Sequence, residues 1–501
     1  MFNYLSIILA VLPFLLFIVL LFIRKISLLK VSFITLLFYT ILAIFYWKVF
    51  PSSLYLSYGK GFLIALDIFI IIFGAIFFLR ILENLNIIKN ISYYLENFSK
   101  DYRVKTIIIA WIFSAFLEGT AGFGVPAAVA VPLLVGIGLN PIQSLIIGLL
   151  GNSTAGVFGA AGTPIRVGFA GLSLTNVPET AALLSFVGII VPVFMLWIIT
   201  KNRENRLNEF RGALPFALWS GFLLSLCSFL VVSLGQEFPS ILGPAISLIL
   251  IIFSVKLKIF TPKESISLHQ EKKEELKKTM SPWKSFFPYV LLIFLLVIGK
   301  FLLGGVGIPI NIGFNYTFSL FNPGFVFILA GLIISLLWKV KKIILKSSLK
   351  EAITGVISPF LVIIFMSIVA QIIVNSGNNY SGIPAVVKLI SQIFEVSILP
   401  LFTPFIGAFG AFITGSVTIS NIMFGNILST AGTTLGFSTY SILSLCVVGG
   451  AIGNMIALAD ILTAEAVLKE KNKEITIIKG VIVPCMICLF IVGFVGLIVF
   501  K

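Results

Sequence analysis

The sequence predicts an all-α polytopic membrane protein of about 12 transmembrane helices plus two re-entrant hairpins, arranged as two inverted repeats. Three observations carry this. With 59% hydrophobic and only 11% charged residues in 501, the chain has too few charges to clothe a soluble globule of its size. Apolar stretches of about 20 residues, the length that crosses a bilayer, recur along the whole chain. Finally, 29 of the 35 Lys and Arg fall in six short loops between those stretches, the distribution of a positive-inside topology.

The first apolar run, 4–23, lacks a basic leader and a small-residue cleavage site, so it is expected to stay as a span. The basic loops are 24–30, 80–105, 201–211, 256–284, 339–350 and 469–479. If all six face the cytoplasm, neighbouring loops are separated by an even number of crossings. The pairs 29–50 and 61–79, 212–234 and 240–255, and 286–304 and 324–338 obey. Between 105 and 201 there are three blocks, 106–139, 141–165 and 180–200; between 350 and 469 there are again three, 353–374, 398–431 and 440–463. One block in each interval must enter and leave on the same side. The long Gly- and Pro-rich blocks, 106–139 and 398–431, suit this role, because irregular backbone at membrane depth is tolerated where it lines a cavity.

This parity divides the chain into a first repeat, 1–211, a connector helix pair with its basic loop, 212–284, and a second repeat, 285–501. Each repeat holds a hairpin followed by an interrupted helix, about 141–168 in one and about 440–466 in the other. Opposite directions of the matching spans make this an inverted-repeat plan. Both termini are expected outside, in a multi-pass protein of the cytoplasmic membrane. Gly151-Asn152-Ser153-Thr154 falls ten residues past Pro141, about 15 Å or half the hydrocarbon thickness. Gly449-Gly450 and Gly453-Asn454 sit at a similar depth, so four polar breaks are expected to meet near the midplane.

Composition also excludes. The formal charge of +16 is spread over loops with no basic face interleaved with aromatics, so nucleic-acid binding is not expected. Cys227, Cys446, Cys485 and Cys488 all lie in apolar runs and read as small core hydrophobes. A single histidine, His269, in the charged HQEKKEELKK stretch builds neither a His-based metal site nor a Ser-His-Asp triad. No cofactor, metal site or catalytic residue is expected. The charged stretch itself reads as a solvated connector.

A helix broken in the membrane presents free N–H groups and partial positive charge at the start of its second half, a cradle for a carboxylate. Thr120, Asn152, Ser153, Thr154, Thr163, Ser416, Thr418, Ser420, Asn421 and Asn454 can complete the hydrogen bonds of a small hydroxy acid. Against this stands close packing, the commoner use of Gly, Ser and Thr in membrane helices. Of the few ionisable residues in apolar regions, Glu118 is either a group that takes up a proton during transport or one that pins its hairpin through backbone N–H groups. Arg166 either clamps a carboxylate or draws anions into an outer vestibule. Asp460 pairs with a cation, receives a proton or caps a helix. Asp67 reads as a partner for another polar helix.

At these motifs the sequence resembles the L-lactate permease family, bacterial carriers that take up lactate and glycolate with protons. The likeness is closest over FLEGTAGFGVPAAVAVPLLVGIGLNPIQSLIIGLLGNSTAGVFGAAGTPI, from Phe116 to Ile165, and returns at ITGSVTISNIMFGN and GGAIGNMIALADILTAEA. Motif positions are Glu118, Gly119, Gly122, Gly124, Pro126, Asn152, Gly159, Gly162, Pro164, Gly415, Ser416, Thr418, Asn421, Gly453 and Met455. Gly119 thereby joins the substrate-binding candidates, and a homodimer is implied. The chain departs from the pattern at Val417, where an Asp is frequent, and at Asn454 and Ala457-Leu458, where a Lys and a Ser-Pro are frequent. Losing one negative and one positive group keeps the charge balance but bears on substrate and coupling.

The resemblance implies a secondary active transporter, not an enzyme, importing a small monocarboxylate by proton symport with alternating access. L-lactate is the first expectation, with glycolate or D-lactate beside it. Glu118 and Asp460 are the proton-coupling candidates. Two alternatives stay open: a sodium-coupled or exchange transporter of another organic anion, and, from another class, a membrane subunit of a redox complex.

Overall fold

The computed structural model describes residues 4–22, 26–122, 125–268, 280–311, 315–470 and 473–500. His269, the HQEKKEELKK stretch and motif position Gly124 lie outside the described residues. In hydrocarbon every backbone N–H needs an internal partner, so apolar runs of this composition become helices. The chain opens with α1 (Tyr4–Phe22), α2 (Leu28–Phe45) and the long α3 (Pro51–Asn84). On α1, Leu5, Ile8, Leu12, Leu15 and Val19 are exposed at three- and four-residue spacing while Ala10, Phe14 and Phe17 are buried. One stripe meets lipid and the other protein.

A short amphipathic α4 (Ile87–Glu96) precedes the first hairpin. Asp101 caps its descending arm by accepting from the N–H groups of Arg103 and Val104. That arm is α5 (Tyr102–Ile107), a π-helical stretch (Ile108–Phe113) and α6 (Ser114–Thr120), and α7 (Val125–Gly136) returns. Next come the interrupted pair α8 (Pro141–Gly151) and α9 (Gly159–Arg166), then α10 (Val177–Leu184), α11 (Val191–Thr200), α12 (Arg206–Val231) and α13 (Leu242–Lys256). α14 (Pro282–Leu303) leads into a two-stranded antiparallel ribbon, β1 (Gly307–Asn311) and β2 (Asn315–Ser319). Ile308, Ile310, Tyr316 and Phe318 alternate with small or polar residues, the period-2 pattern of a strand, so this connection is not part of the expected all-helical plan.

The second half runs α15 (Pro323–Leu337), α16 (Lys342–Asn375), α17 (Val386–Ser391), α18 (Leu399–Thr414), α19 (Val417–Thr434), α20 (Thr439–Gly453), α21 (Leu458–Leu468) and α22 (Glu474–Val499). The direction changes by 117° where α17 and its 3-10 extension meet α18, and α18 and α19 form the second hairpin. Among the described residues nine helices are long and apolar enough to cross a membrane, and up to 11 if each bent pair counts as one span. The expected twelve differ from the nine at three places: the bent pair α8 and α9, and the helices α13 and α15. The latter two have 15 residues each, about 22 Å against a core of about 30 Å.

α3 and α16, each of 34 residues, pack antiparallel through the centre. Ser57 donates to the Gln371 carbonyl (3.3 Å) near one end, and the Asn84 amide donates to Ser348 (2.9 Å) near the other. Gly61 permits the approach, since a Cβ there would lie 2.7 Å from Ile368 Cα.

Candidate functional site

Each hairpin tip is made by residues that stop one helix and start the next. α6 gives way at Gly122, whose φ of +63° suits glycine. α18 ends on Gly415 in the left-handed region (φ +67°), and the Ser416 hydroxyl then caps α19 by accepting from the Ile419 N–H (3.3 Å). The first interrupted helix stops at Asn152, passes through a 3-10 turn at Thr154–Phe158, and kinks through Ala160, Ala161 and Gly162, with φ of 42°, 54° and 81°. Two successive alanines in that region cost about 1–2 kcal/mol each, a strain that surrounding contacts must hold. The second breaks at Asn454–Ile456 and Ala457, then resumes as α21.

These four interruptions line one cavity. Hairpin one contributes Glu118 and Gly122. The first interrupted helix contributes Asn152, Gly156, Gly159, Ala160, Thr163 and Pro164. Hairpin two supplies Gly415 to Thr418, and the second interrupted helix supplies Asn454 and Asp460. The cavity measures about 30 Å³, where a single water needs about 10–15 Å³ on the same scale. It is a narrow chamber.

Its polar atoms are arranged unequally. The Asn152 amide donates to Asp460 Oδ2 (3.1 Å), joining the two interrupted helices. Asn152 Oδ1, Asn454 Oδ1 and Glu118 Oε2 are buried without a hydrogen-bond partner. Gly159 lies against the Glu118 carboxyl, where a Cβ would meet Oε1 and sit 3.2 Å from Cδ. Gly156 faces the Asn454 amide nitrogen at 3.2 Å from its would-be Cβ. Two carboxyl groups therefore face a chamber whose lining, among the described residues, contains no Lys, Arg or His.

The remaining candidates occupy other surroundings. Asn421 is a tie rather than a wall: its amide donates to the Pro164 carbonyl (2.9 Å), linking α19 to the first interrupted helix. Thr120 bonds back to Phe116 and Leu117 of its own helix. Gly119 packs against the Ser240 carbonyl and Ile241 N. Thr154 lines a second small cavity with Ser185, Ser225 and Ser240, and the Ser153 hydroxyl is buried with no partner. Arg166 lies beyond the chamber in an ion cluster, 3.3 Å from Asp67 and 3.9 Å from Glu237, with Lys300 3.2 Å from the same Glu237. Asn322 donates to Asp67 (2.8 Å).

Sequence reasoning did not single out Gly156, Ala160 or Glu237. Gly156 and Ala160 carry no chemical side chain to mark them. Glu237 sits in a short connection between apolar runs, yet it is 2% exposed and joins two cations.

Known proteins share this arrangement of sequence. The L-lactate permease family matches residues 6–304 and 303–501. The chain is 30% identical over 461 residues to a Haemophilus influenzae protein named for the same family, covering 83% of this chain and 84% of that one. It is 26% identical to the L-lactate permease of Halalkalibacterium halodurans, covering 76% of this chain and 75% of the relative. It is 25% identical to the glycolate permease of Escherichia coli, covering 98% and 95%. Among solved structures, Neisseria gonorrhoeae MtrF aligns with 94% of this chain and 85% of its own, at 13% identity and a TM-score of 0.44. Matched along both halves, this multi-pass membrane protein belongs to the L-lactate permease family.

Proposed function

We propose that the chain is a secondary active transporter that imports a small monocarboxylate, L-lactate foremost and glycolate or D-lactate beside it, across the cytoplasmic membrane by proton symport. The single observation that carries this reading is the convergence of two hairpin tips and two helix breaks on one chamber holding Glu118 and Asp460 and lined, among the described residues, by no cationic side chain. A carboxylate brought beside two carboxyl groups needs compensating positive charge, because an unpaired buried charge is costly. Protons carried on Glu118 and Asp460 supply it. The start of α19, with Ser416 and Thr418, faces the substrate carboxylate, and the unpartnered amide oxygens of Asn152 and Asn454 accept from its hydroxyl.

The chamber is too narrow for a lactate, so substrate enters only after the hairpins part, as alternating access requires. The order of elements supports the inverted-repeat plan. α1, α2 and α3 lead to hairpin one and α8–α9, as α14, α15 and α16 lead to hairpin two and α20–α21. On this plan both termini lie outside.

One observation favours sodium as the coupling ion: three unpartnered oxygens, on Glu118, Asn152 and Asn454, are hard donors of the kind alkali and alkaline-earth cations take. Purified protein in liposomes separates the two. With labelled L-lactate inside-directed accumulation follows an imposed proton gradient and is competed by glycolate; accumulation that ignores the proton gradient and follows sodium instead selects the second reading, and transport of neither acid removes both.

A further inference from the structure

Away from the chamber, α8, α11 and α22 leave an open cavity of about 540 Å³ between them. Its wall is apolar, with Ile146, Val193, Phe194, Trp197 and Val483. One end is polar, with Gln143, Lys201 and Lys479. Among the described residues neither lysine has a carboxylate within ion-pair distance. Arg206 adds a third cation at the rim, with its guanidinium 3.8 Å from the centre of the Trp197 ring. Both lysines belong to basic loops that flank membrane spans, so the polar end sits at an interface while the apolar wall extends along the span.

We propose that this cavity is a binding site for an anionic phospholipid, its phosphate held by Lys201 and Lys479 and one acyl chain laid along Val193, Phe194, Trp197 and Val483. The amphipathic division selects this occupant. A free phosphate has no use for the apolar wall, and a neutral lipid leaves the two cations unmatched. A second copy of the chain docked here about a two-fold axis brings its own Lys201 and Lys479 to the same place, which like charges oppose. The occupant also touches α8 at Ile146, six residues before Asn152 and thus about 9 Å along the helix.

Trp197, half exposed in this cavity, reports on it directly. The full chain is reconstituted in phosphatidylcholine liposomes containing a small fraction of lipid with brominated acyl chains, either phosphatidylglycerol or phosphatidylcholine. The expected result is stronger tryptophan quenching by the brominated phosphatidylglycerol than by the same mole fraction of brominated phosphatidylcholine. That excess disappears in Trp197→Phe, which assigns it to this cavity. It also disappears in the Lys201→Gln, Lys479→Gln double variant, whose two lysines are exposed and, among the described residues, without an ion-pair partner. Equal quenching by both lipids overturns the proposal. So does an excess that survives in the double variant, and so does a Trp197 shielded from both lipids in a dimeric chain.

Discussion

Glu118 has one carboxyl oxygen beside Gly159 and the other without a partner, and on the proposed reading it carries the proton. Glu118→Gln keeps the size and removes the ionisable group. The expected outcome is loss of proton-driven lactate accumulation to background with exchange of labelled for unlabelled lactate retained, measured in the same liposomes; loss of exchange as well assigns Glu118 to holding the hairpin. Gly159→Ala drives a methyl into that carboxyl, and such overpacking costs about 1–3 kcal/mol, read as a lower thermal midpoint together with lost uptake. A different carboxyl governs stability with pH. Burial raises Glu96, at the end of α4 and outside the spanning segments, to about 7 against an ordinary 4.5, with Lys105 pulling it back down. A carboxyl whose folded value is raised favours the folded state fully below pH 4.5, and that contribution is lost as pH climbs through about 7. Thermal unfolding in detergent should therefore show stability falling over that window, and Glu96→Gln should flatten the fall. The charged and amide residues of the chamber were legible in the sequence because an Asp, Glu or Asn inside an apolar run is expensive. Their facing was not: nothing in the spacing says that Gly119 turns to Ser240 while Glu118, one residue earlier, turns inward.

Among the elements, α20 shows how close packing and interruption share neighbouring glycines. Gly449 and Gly453 are four residues apart on one face, a GxxxG pair, and lie against the backbone of α18 at Pro404 and Ala408. A Cβ at Gly449 would meet the Pro404 carbonyl and lie 2.5 Å from its carbon. Neither atom can move without shifting α18 and the tip of hairpin two with it. Gly449→Ala should destabilise the protein by about 1–3 kcal/mol, and Gly449→Val more, while the break at Asn454–Ala457 stays in place; a thermal midpoint unchanged in both variants would contradict the packing role. In the sequence Gly449-Gly450 and Gly453-Asn454 look alike, both marking a helix interruption. Only the second does: the α-helix ends at Gly453 and the extended Ala457 completes the break, whereas the helix hydrogen bonds continue through Gly449-Gly450, whose only demand is a small side chain.

At the scale of the whole molecule, the antiparallel pair α3 and α16 joins the two halves, and both hairpin tips reach the chamber beside it. Asp67 on α3 holds Arg166, which follows the lining residues Thr163 and Pro164, and Glu237 ties Arg166 to Lys300 of α14. Elements from both halves are thus tied on one side of the chamber by a cluster of charges. On the topology proposed from the basic loops this cluster lies outside, and that topology is open to labelling because the native thiols, Cys227, Cys446, Cys485 and Cys488, are all buried. Ser173, between α9 and α10, and Ser347, near the start of α16, are exposed and lie at opposite ends of that pattern. In intact cells a membrane-impermeant maleimide should label Ser173→Cys and spare Ser347→Cys, which reacts only after permeabilisation. The reverse pattern would place 29 of the 35 Lys and Arg outside, contrary to the positive-inside rule. It would also put the Arg166 cluster on the cytoplasmic side, where opening it releases substrate rather than admits it. Labelling of both positions from one side would break the parity on which hairpin one rests: with the basic loops 80–105 and 201–211 on one side and 106–139 as the block that returns, residue 173 is separated from residue 347 by the five spans 180–200, 212–234, 240–255, 286–304 and 324–338.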